Sequence, residues 1–326
     1  MIKQTSRIEG VCKSILRAKS IAISGHANPD GDSIGSLLAL GLALESIGKE
    51  VYMLCHDEIP PHYRSLPGVN RIVRTTDVQV DLAIAVDCST IDVLGKNVPV
   101  FKNAKSILEI DHHKYRKPFG DIQFIDHEAS AVGEMIYLIL RKLNVKMTRP
   151  IAENLLTSII VETNLFRLAN VRRYTFKVCE ELLATGLNFF QLTGRVYGPK
   201  TRKTMMLLAI CMMRAKFLRG GRFIWSILTA ADLKKVGAKD YDADAIADEM
   251  CSLKGVDIAL LFREKKKSML RVSMRSRNGI DIGELAQRYK GGGHFDIAGC
   301  YIPNRKQNIR KLISDAEKIL PKGVRA

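Results

Sequence analysis

The stretch His26-Ala27-Asn28-Pro29-Asp30-Gly31-Asp32 puts one imidazole and two carboxylates within seven residues. Asp30 and Asp32 are two apart, so on a turning backbone they reach neighbouring positions. Like charges that close repel unless a cation lies between them. Nitrogen and oxygen donors together suit a divalent ion that accepts both. The same residues also fit a polar turn in which Asp30 or Asp32 caps the next helix. Farther on, Asp87 and the run Asp111-His112-His113 add two carboxylates and two imidazoles.

The elements before these residues decide whether they meet. Ile21-Ala22-Ile23 precedes the first cluster and a helical pattern over 33–47 follows it. Leu82-Ala83-Ile84-Ala85-Val86 ends at Asp87, and Ser106-Ile107-Leu108-Glu109-Ile110 ends at Asp111. Continuous apolar runs of strand length read as strands buried on both faces, as in a parallel sheet. The carboxyl ends of neighbouring strands in such a sheet share one crevice. His26, Asp30, Asp32, Asp87, Asp111, His112 and His113 are therefore expected to converge, although they are far apart in sequence.

The remaining patterns predict further strands over 51–54 and 122–125, and helices over 4–18, 129–143, 150–161 and 174–184. A linker is expected over 189–203. After it the pattern restarts with a Met-rich helix over 203–217, whose Met205, Met206, Met212 and Met213 read as core. Strands are expected over 223–228, 256–262, 268–274 and 300–302, with Arg263 to Lys267 as a charged turn. Helices are expected over 244–253, 282–289 and 306–320. His56, His62 and His127 read as surface or structural.

The chain has 326 residues and a formal net charge of +17, which points to a polyanionic partner. Between Leu182 and Ala231 there is no Asp or Glu, while eight cations from Arg195 to Arg222 occur. The seven cysteines are scattered, with no C-x-x-C pair, which argues for reduced thiols and a cytoplasmic location. No apolar stretch is long enough to span a membrane, and the N-terminus reads as helix rather than secretory signal.

Taken together, the blocks His26-Ala27-Asn28-Pro29-Asp30-Gly31-Asp32-Ser33-Ile34-Gly35-Ser36, Asp87, Asp111-His112-His113, Arg271 to Ser276 and Gly291-Gly292-Gly293-His294-Phe295-Asp296-Ile297-Ala298-Gly299 resemble a DHH-family phosphoesterase with its associated C-terminal domain. The resemblance covers nearly the whole chain, in the family's order, and is nearest in layout to stand-alone bacterial enzymes of the NrnA type. It implies an α/β fold: a doubly wound parallel-sheet domain over 1–188, a linker over 189–203, a smaller α/β substrate-binding domain over 204–326, and a cleft between the two. It implies two Mn2+ ions, one held by His26, Asp30 and Asp87, the other by Asp32, Asp87, His112 and Glu162. His113 would face the scissile phosphate and Asp111 would orient a histidine. Arg275, Ser276, Gly291, Gly292, Gly293 and His294 would hold the far end of the substrate. The implied activity is hydrolysis of short RNA oligonucleotides to mononucleotides, extending to 3′-phosphoadenosine 5′-phosphate, with a homodimer allowed.

The chain departs from the family at its fourth motif. Asp-Thr-Gly is usual there; this sequence has Glu162-Thr163-Asn164, followed by Leu165-Phe166-Arg167. Glu moves the carboxylate by about a bond length, and a misplacement on the order of 1 Å costs about a hundredfold in rate. Two other readings therefore stand beside the first: breakdown of cyclic di-AMP or its linear product pApA, and a nucleotide- or RNA-binding module with a degenerate metal site.

Overall fold

The computed structural model describes residues 2–198, 200–266 and 268–321, and the chain divides into two compact units, Met1–Gly198 and Pro199–Ala326. The first unit runs α1 (Ile2–Arg17), β1 (Ser20–Ser24), α2 (Gly31–Ser46), β2 (Glu50–Leu54), β3 (Leu82–Val86), α3 (Val98–Asn103), β4 (Ile107–Asp111), β5 (Ile122–Ile125), α4 (Val132–Lys142), α5 (Arg149–Glu162), α6 (Arg173–Leu183) and α7 (Phe189–Val196). Its five strands are all parallel, in the order β2-β1-β3-β4-β5. Every residue of β3 is buried, as its unbroken apolar run requires. Ile21, Ile23, Ile84, Val86, Leu108 and Ile110 face the larger core with α2, α4 and α5, while Ala22, Ala83 and Ala85 face Val100 and Phe101 of α3. Full burial of each Ile or Leu contributes roughly 1.5–3 kcal/mol, so covering both faces is what holds such strands in a sheet.

The strand order reverses between β1 and β3. In open parallel sheets that is where ligands bind, outside the carboxyl ends of the strands. His26 follows β1 and Asp87 follows β3, so the order brings them side by side.

The second unit runs α8 (Arg202–Arg214), β6 (Lys216–Leu218), β7 (Phe223–Leu228), α9 (Ala230–Val236), α10 (Ile246–Cys251), β8 (Ile258–Lys266), β9 (Met269–Ser276), α11 (Ile282–Arg288), β10 (Gly292–Gly293), β11 (Ile297–Pro303) and α12 (Lys306–Ile319). Its six-stranded sheet is mixed, in the order β10-β11-β9-β8-β7-β6.

Three expectations are corrected. The stretch 189–203 is not a plain linker: Leu192 and Val196 of α7 are buried in the core of the first unit. Residues Arg263 to Lys266 extend β8 instead of turning, and Arg263 is fully buried because Asp244 lies 2.8 Å away. Met205, Met206 and Met213 are exposed, because Leu207 and Cys211 are the residues α8 buries. Lys267 lies outside the described residues. Among the described residues no helix is long and apolar enough to cross a membrane.

Candidate metal centre

Asp30 does two things. Its side chain accepts a bond from the Ser33 amide at 2.9 Å as the N-cap of α2, and it lies beside His26. Asp32, in the first turn of α2, is fully buried. Asp87 leaves β3 with φ +59°, a left-handed conformation that costs a non-glycine residue roughly 1 kcal/mol and that Asp tolerates better than most. Asp111 closes β4, His112 and His113 follow it, and Glu162 closes α5.

The seven residues expected from the strand ends lie together, and Glu162 joins them. His26 Nε2 is 3.5 Å from Asp30 Oδ2 and 3.4 Å from Asp87 Oδ2. His112 Nε2 is 3.5 Å from Asp32 Oδ2, 3.8 Å from Asp87 Oδ1 and 3.9 Å from Glu162 Oε1. His113 Nδ1 is 2.7 Å from Asp111 Oδ1 and 3.5 Å from Asp87 Oδ1. Asp87 thus presents one oxygen toward the His26 group and the other toward the His112 group.

The donor chemistry fits a divalent cation. The Nδ1 atoms of His26 and His112 each lie 2.9 Å from a carbonyl oxygen, of Ala27 and Ala129. A carbonyl only accepts, so Nδ1 carries the proton in the neutral ring and the Nε2 lone pair faces carboxylates. Lone pair against carboxylate is repulsive unless a cation or a proton intervenes. Ligand atoms about 2.0–2.2 Å from one ion stand roughly 3–3.6 Å apart, which matches the closest of these separations.

The electrostatics agree. Burial, and then Asp87 and Asp30, push the Asp32 carboxyl well above its usual range. Burial opposes the His26 charge, but Asp30 and Asp87 outweigh it and raise that imidazole well above its ordinary value. Without a cation the cluster thus takes up protons. Burial and the neighbouring His113 lower His112, which keeps it the neutral ring a metal needs. Burial also opposes the His113 charge, yet Asp111 and Asp87 carry it up to about 9.

Several supports were not apparent from the sequence. Ser158 Oγ donates to Asp32 Oδ1 at 2.6 Å, Ser36 Oγ donates to the same oxygen at 3.1 Å, and the Val132 amide donates to Oδ2 at 3.0 Å. Arg116 binds Asp111 Oδ2 at 3.1 Å and Glu109 Oε1 at 2.6 Å. His127 is exposed, as expected of a surface residue, and its Nδ1 lies 3.3 Å from the His112 carbonyl. The Ser36 contact had a readable signal, since Asp32 and Ser36 are one helical turn apart. Ser158 had none, because it arrives through packing of α5 on α2.

The second unit treats its expected residues differently. Arg275 is held by Asp248 at 2.6 and 3.1 Å, and Ser276 Oγ donates to the Ile280 carbonyl at 2.6 Å. Gly292 and Gly293 form β10 against β11, and the Gly291 amide donates to the Ala286 carbonyl at 2.9 Å. A Cβ at Gly291 would come within 2.1 Å of the Gly299 oxygen, so the close strand approach requires glycine there. The His294 amide donates to the Ile297 carbonyl at 2.6 Å.

Comparison with known proteins agrees with this geometry. The profile of the DHH family, N-terminal domain, matches residues 20–159, and that of the DHHA1 domain matches residues 224–322. The chain is 30% identical over 285 residues, 86% of this chain and 83% of that protein, to the bifunctional oligoribonuclease and PAP phosphatase NrnA of Thermus thermophilus. It is 24% identical over 304 residues, 92% of this chain and 94% of that protein, to the protein of the same name from Bacillus subtilis. Its fold is similar to that of an exopolyphosphatase-related protein from Bacteroides fragilis, with TM-score 0.86, 22% identity and 96% of each chain covered. It is also similar to RecJ from Thermus thermophilus in complex with Mn2+, with TM-score 0.56, 14% identity, 99% of this chain and 55% of that chain covered. The chain belongs to the DHH family of metal-dependent phosphoesterases and carries a DHHA1 domain.

Proposed function

We propose that this protein is a manganese-dependent phosphodiesterase that hydrolyses short oligoribonucleotides to mononucleotides and removes the 3′-phosphate of 3′-phosphoadenosine 5′-phosphate. The observation that carries the reading is Asp87, whose two oxygens face two separate His/carboxylate groups, the arrangement of a bridging ligand between two ions. His26 and Asp30 would complete one ion's shell, and Asp32, His112 and Glu162 the other's. Mixed nitrogen and oxygen donors favour manganese over magnesium. When bound, such ions supply Lewis acidity to the phosphoryl group and lower the pKa of water.

The protein's own residues do the rest. Asp111, held by Arg116, fixes the His113 ring through Nδ1 and keeps it charged through the neutral range. The other ring nitrogen then donates to a phosphoryl oxygen as its charge grows. Exposed Arg202, Lys203 and Lys216 supply cations for the phosphate backbone, which they position without reading sequence. In the second unit we assign substrate contact to His294 and the Gly291–Gly293 strand. Arg275 and Ser276, already engaged by Asp248 and Ile280, support the neighbouring strand pair. The free thiols of all seven cysteines suit a reducing compartment, and we assign the protein to the cytoplasm.

The test is chromatography of products after manganese-loaded protein meets pApA, with 3′-phosphoadenosine 5′-phosphate in parallel. AMP from both is expected. Absence of product from both, with manganese bound, overturns the reading.

A further inference from the structure

Glu162 is the residue at which this chain departs from its family, and the chain beyond it is unusual. Asn164, Leu165 and Phe166 follow in left-handed conformation, with φ of 45°, 56° and 61°. Asn takes that conformation readily, whereas Leu and Phe do so only where the surroundings impose it. The Leu165 amide returns to the Ile160 carbonyl at 2.8 Å, and the Phe166 amide donates to Thr163 Oγ1 at 3.1 Å. The strained turn carries the chain to Asn170.

The Asn170 side-chain nitrogen donates to two carbonyls, of Glu162 at 3.2 Å and of Ser130 at 3.0 Å. Both partners only accept, so the amide can be oriented one way. Its Oδ1 is buried with no hydrogen-bond partner among the described residues, a desolvation cost that the pair of donated bonds offsets. Ser130 is joined to Ala129, whose carbonyl fixes His112 Nδ1. Ser130 is itself anchored through Glu134, Thr175 and Arg172. One amide group therefore ties the main chain that carries Glu162 to the loop that orients His112. These are two of the three donors in the Asp32, His112 and Glu162 group.

We propose that Asn170 is a positioning residue for that second ion site. It sets the spacing between the Glu162 carboxylate and His112 Nε2, and it leaves the His26, Asp30 and Asp87 group untouched. The proposal rests on the two-ion reading above.

The experiment is manganese titration followed by electron paramagnetic resonance, on the full chain and on Asn170→Ala, Asn170→Asp and Asn154→Ala. Asn170→Asp keeps the shape and removes the donor. Asn154 is a control, a buried amide on α5 whose side chain donates to the Pro67 carbonyl at 3.0 Å and to none of the donor residues. Loss of an outer support typically weakens metal affinity about 10- to 100-fold. The expected result is one ion bound as in the unaltered protein and the second weakened about tenfold or more in both Asn170 variants, with the coupled two-ion spectrum lost. Asn154→Ala should bind both ions normally. Two ions bound at unaltered affinity by either folded Asn170 variant overturns the proposal, as does equal weakening of both sites. An unaltered protein that never binds a second ion overturns the two-ion reading instead.

Discussion

Asp32 in the first unit and Arg263 in the second are both fully buried charged side chains, and their surroundings differ. Arg263 lies 2.8 Å from Asp244 and 3.6 Å from Asp240, carboxylates it shares with Arg271 and Lys265, so its charge faces opposite charge within the unit. Arg275, farther along the neighbouring strand opposite Ala259, is matched by Asp248. Asp32 has Asp87 and Asp30 as its main charged neighbours, and hydroxyls and an amide for hydrogen bonds. Burying unmatched like charges is costly, and a protein that does so supplies the counter-charge from outside. Where every buried charge meets an opposite one the cluster is architecture; where carboxylates meet carboxylates it is a site.

The largest way to break the contrast is Asp87→Ala. Removing the carboxylate that faces both groups should lower manganese-dependent hydrolysis of pApA by more than about a thousandfold, consistent with loss of transition-state charge stabilisation, and lower metal content with it. Retained turnover would contradict the bridging role. Next is Glu162→Asp. The main chain at 162 is held by its helix and by Asn170, so the shorter side chain would draw its carboxylate back by about one bond length from Asp32 and His112. Turnover should drop about a hundredfold. A rise would mean that Glu162 is a detuned Asp. Third is Gly35→Ala, whose Cβ would lie 2.5 Å from the Asn154 carbonyl oxygen and 2.9 Å from the Ser158 amide. Prying α2 from α5 should cost about 1–3 kcal/mol in urea unfolding and loosen the Ser158 bond to Asp32.

The architectural cluster should respond in stability alone. Asp244→Ala leaves Arg263 under-matched and should cost about 2 kcal/mol, while Arg263→Met, which removes the buried charge itself, should be closer to neutral, with metal content unchanged in both. The smallest effect is at Asp232. Burial acts to raise its carboxyl, but Arg214 and Thr229 outweigh that and hold it at about 2. Its folded value is depressed, so its contribution is present above about pH 4, the unfolded value, and is lost as pH falls toward 2. Arg214 is half-exposed, so Arg214→Ala should cost under about 1 kcal/mol at pH 7, a difference that shrinks below pH 4.

The same contrast explains what could be read from the sequence. Asp87 and Asp111 follow apolar runs directly, so strand ends and donors were legible together. The donors that needed only a strand and its exit were found. Ser158 and Asn170 were not, because one arrives by helix packing and the other by a strained turn, and neither leaves a periodic trace. Arg263 was misread as turn because a charged run ordinarily marks solvent, and its partners Asp240 and Asp244 lie about twenty residues away. Met205, Met206 and Met213 of α8 were misread because the buried face of that helix falls on Leu207 and Cys211, against which only Met212 of the four packs. Asn164, where the resemblance implies glycine, adopts a left-handed conformation, with φ of 45°.

The most direct test of the central claim is an anomalous difference map from manganese-soaked crystals. The account predicts two peaks that share Asp87, one beside His26 and Asp30, the other beside Asp32, His112 and Glu162. A single peak that misses Asp87, or none in a map that shows the side chains ordered, would contradict it.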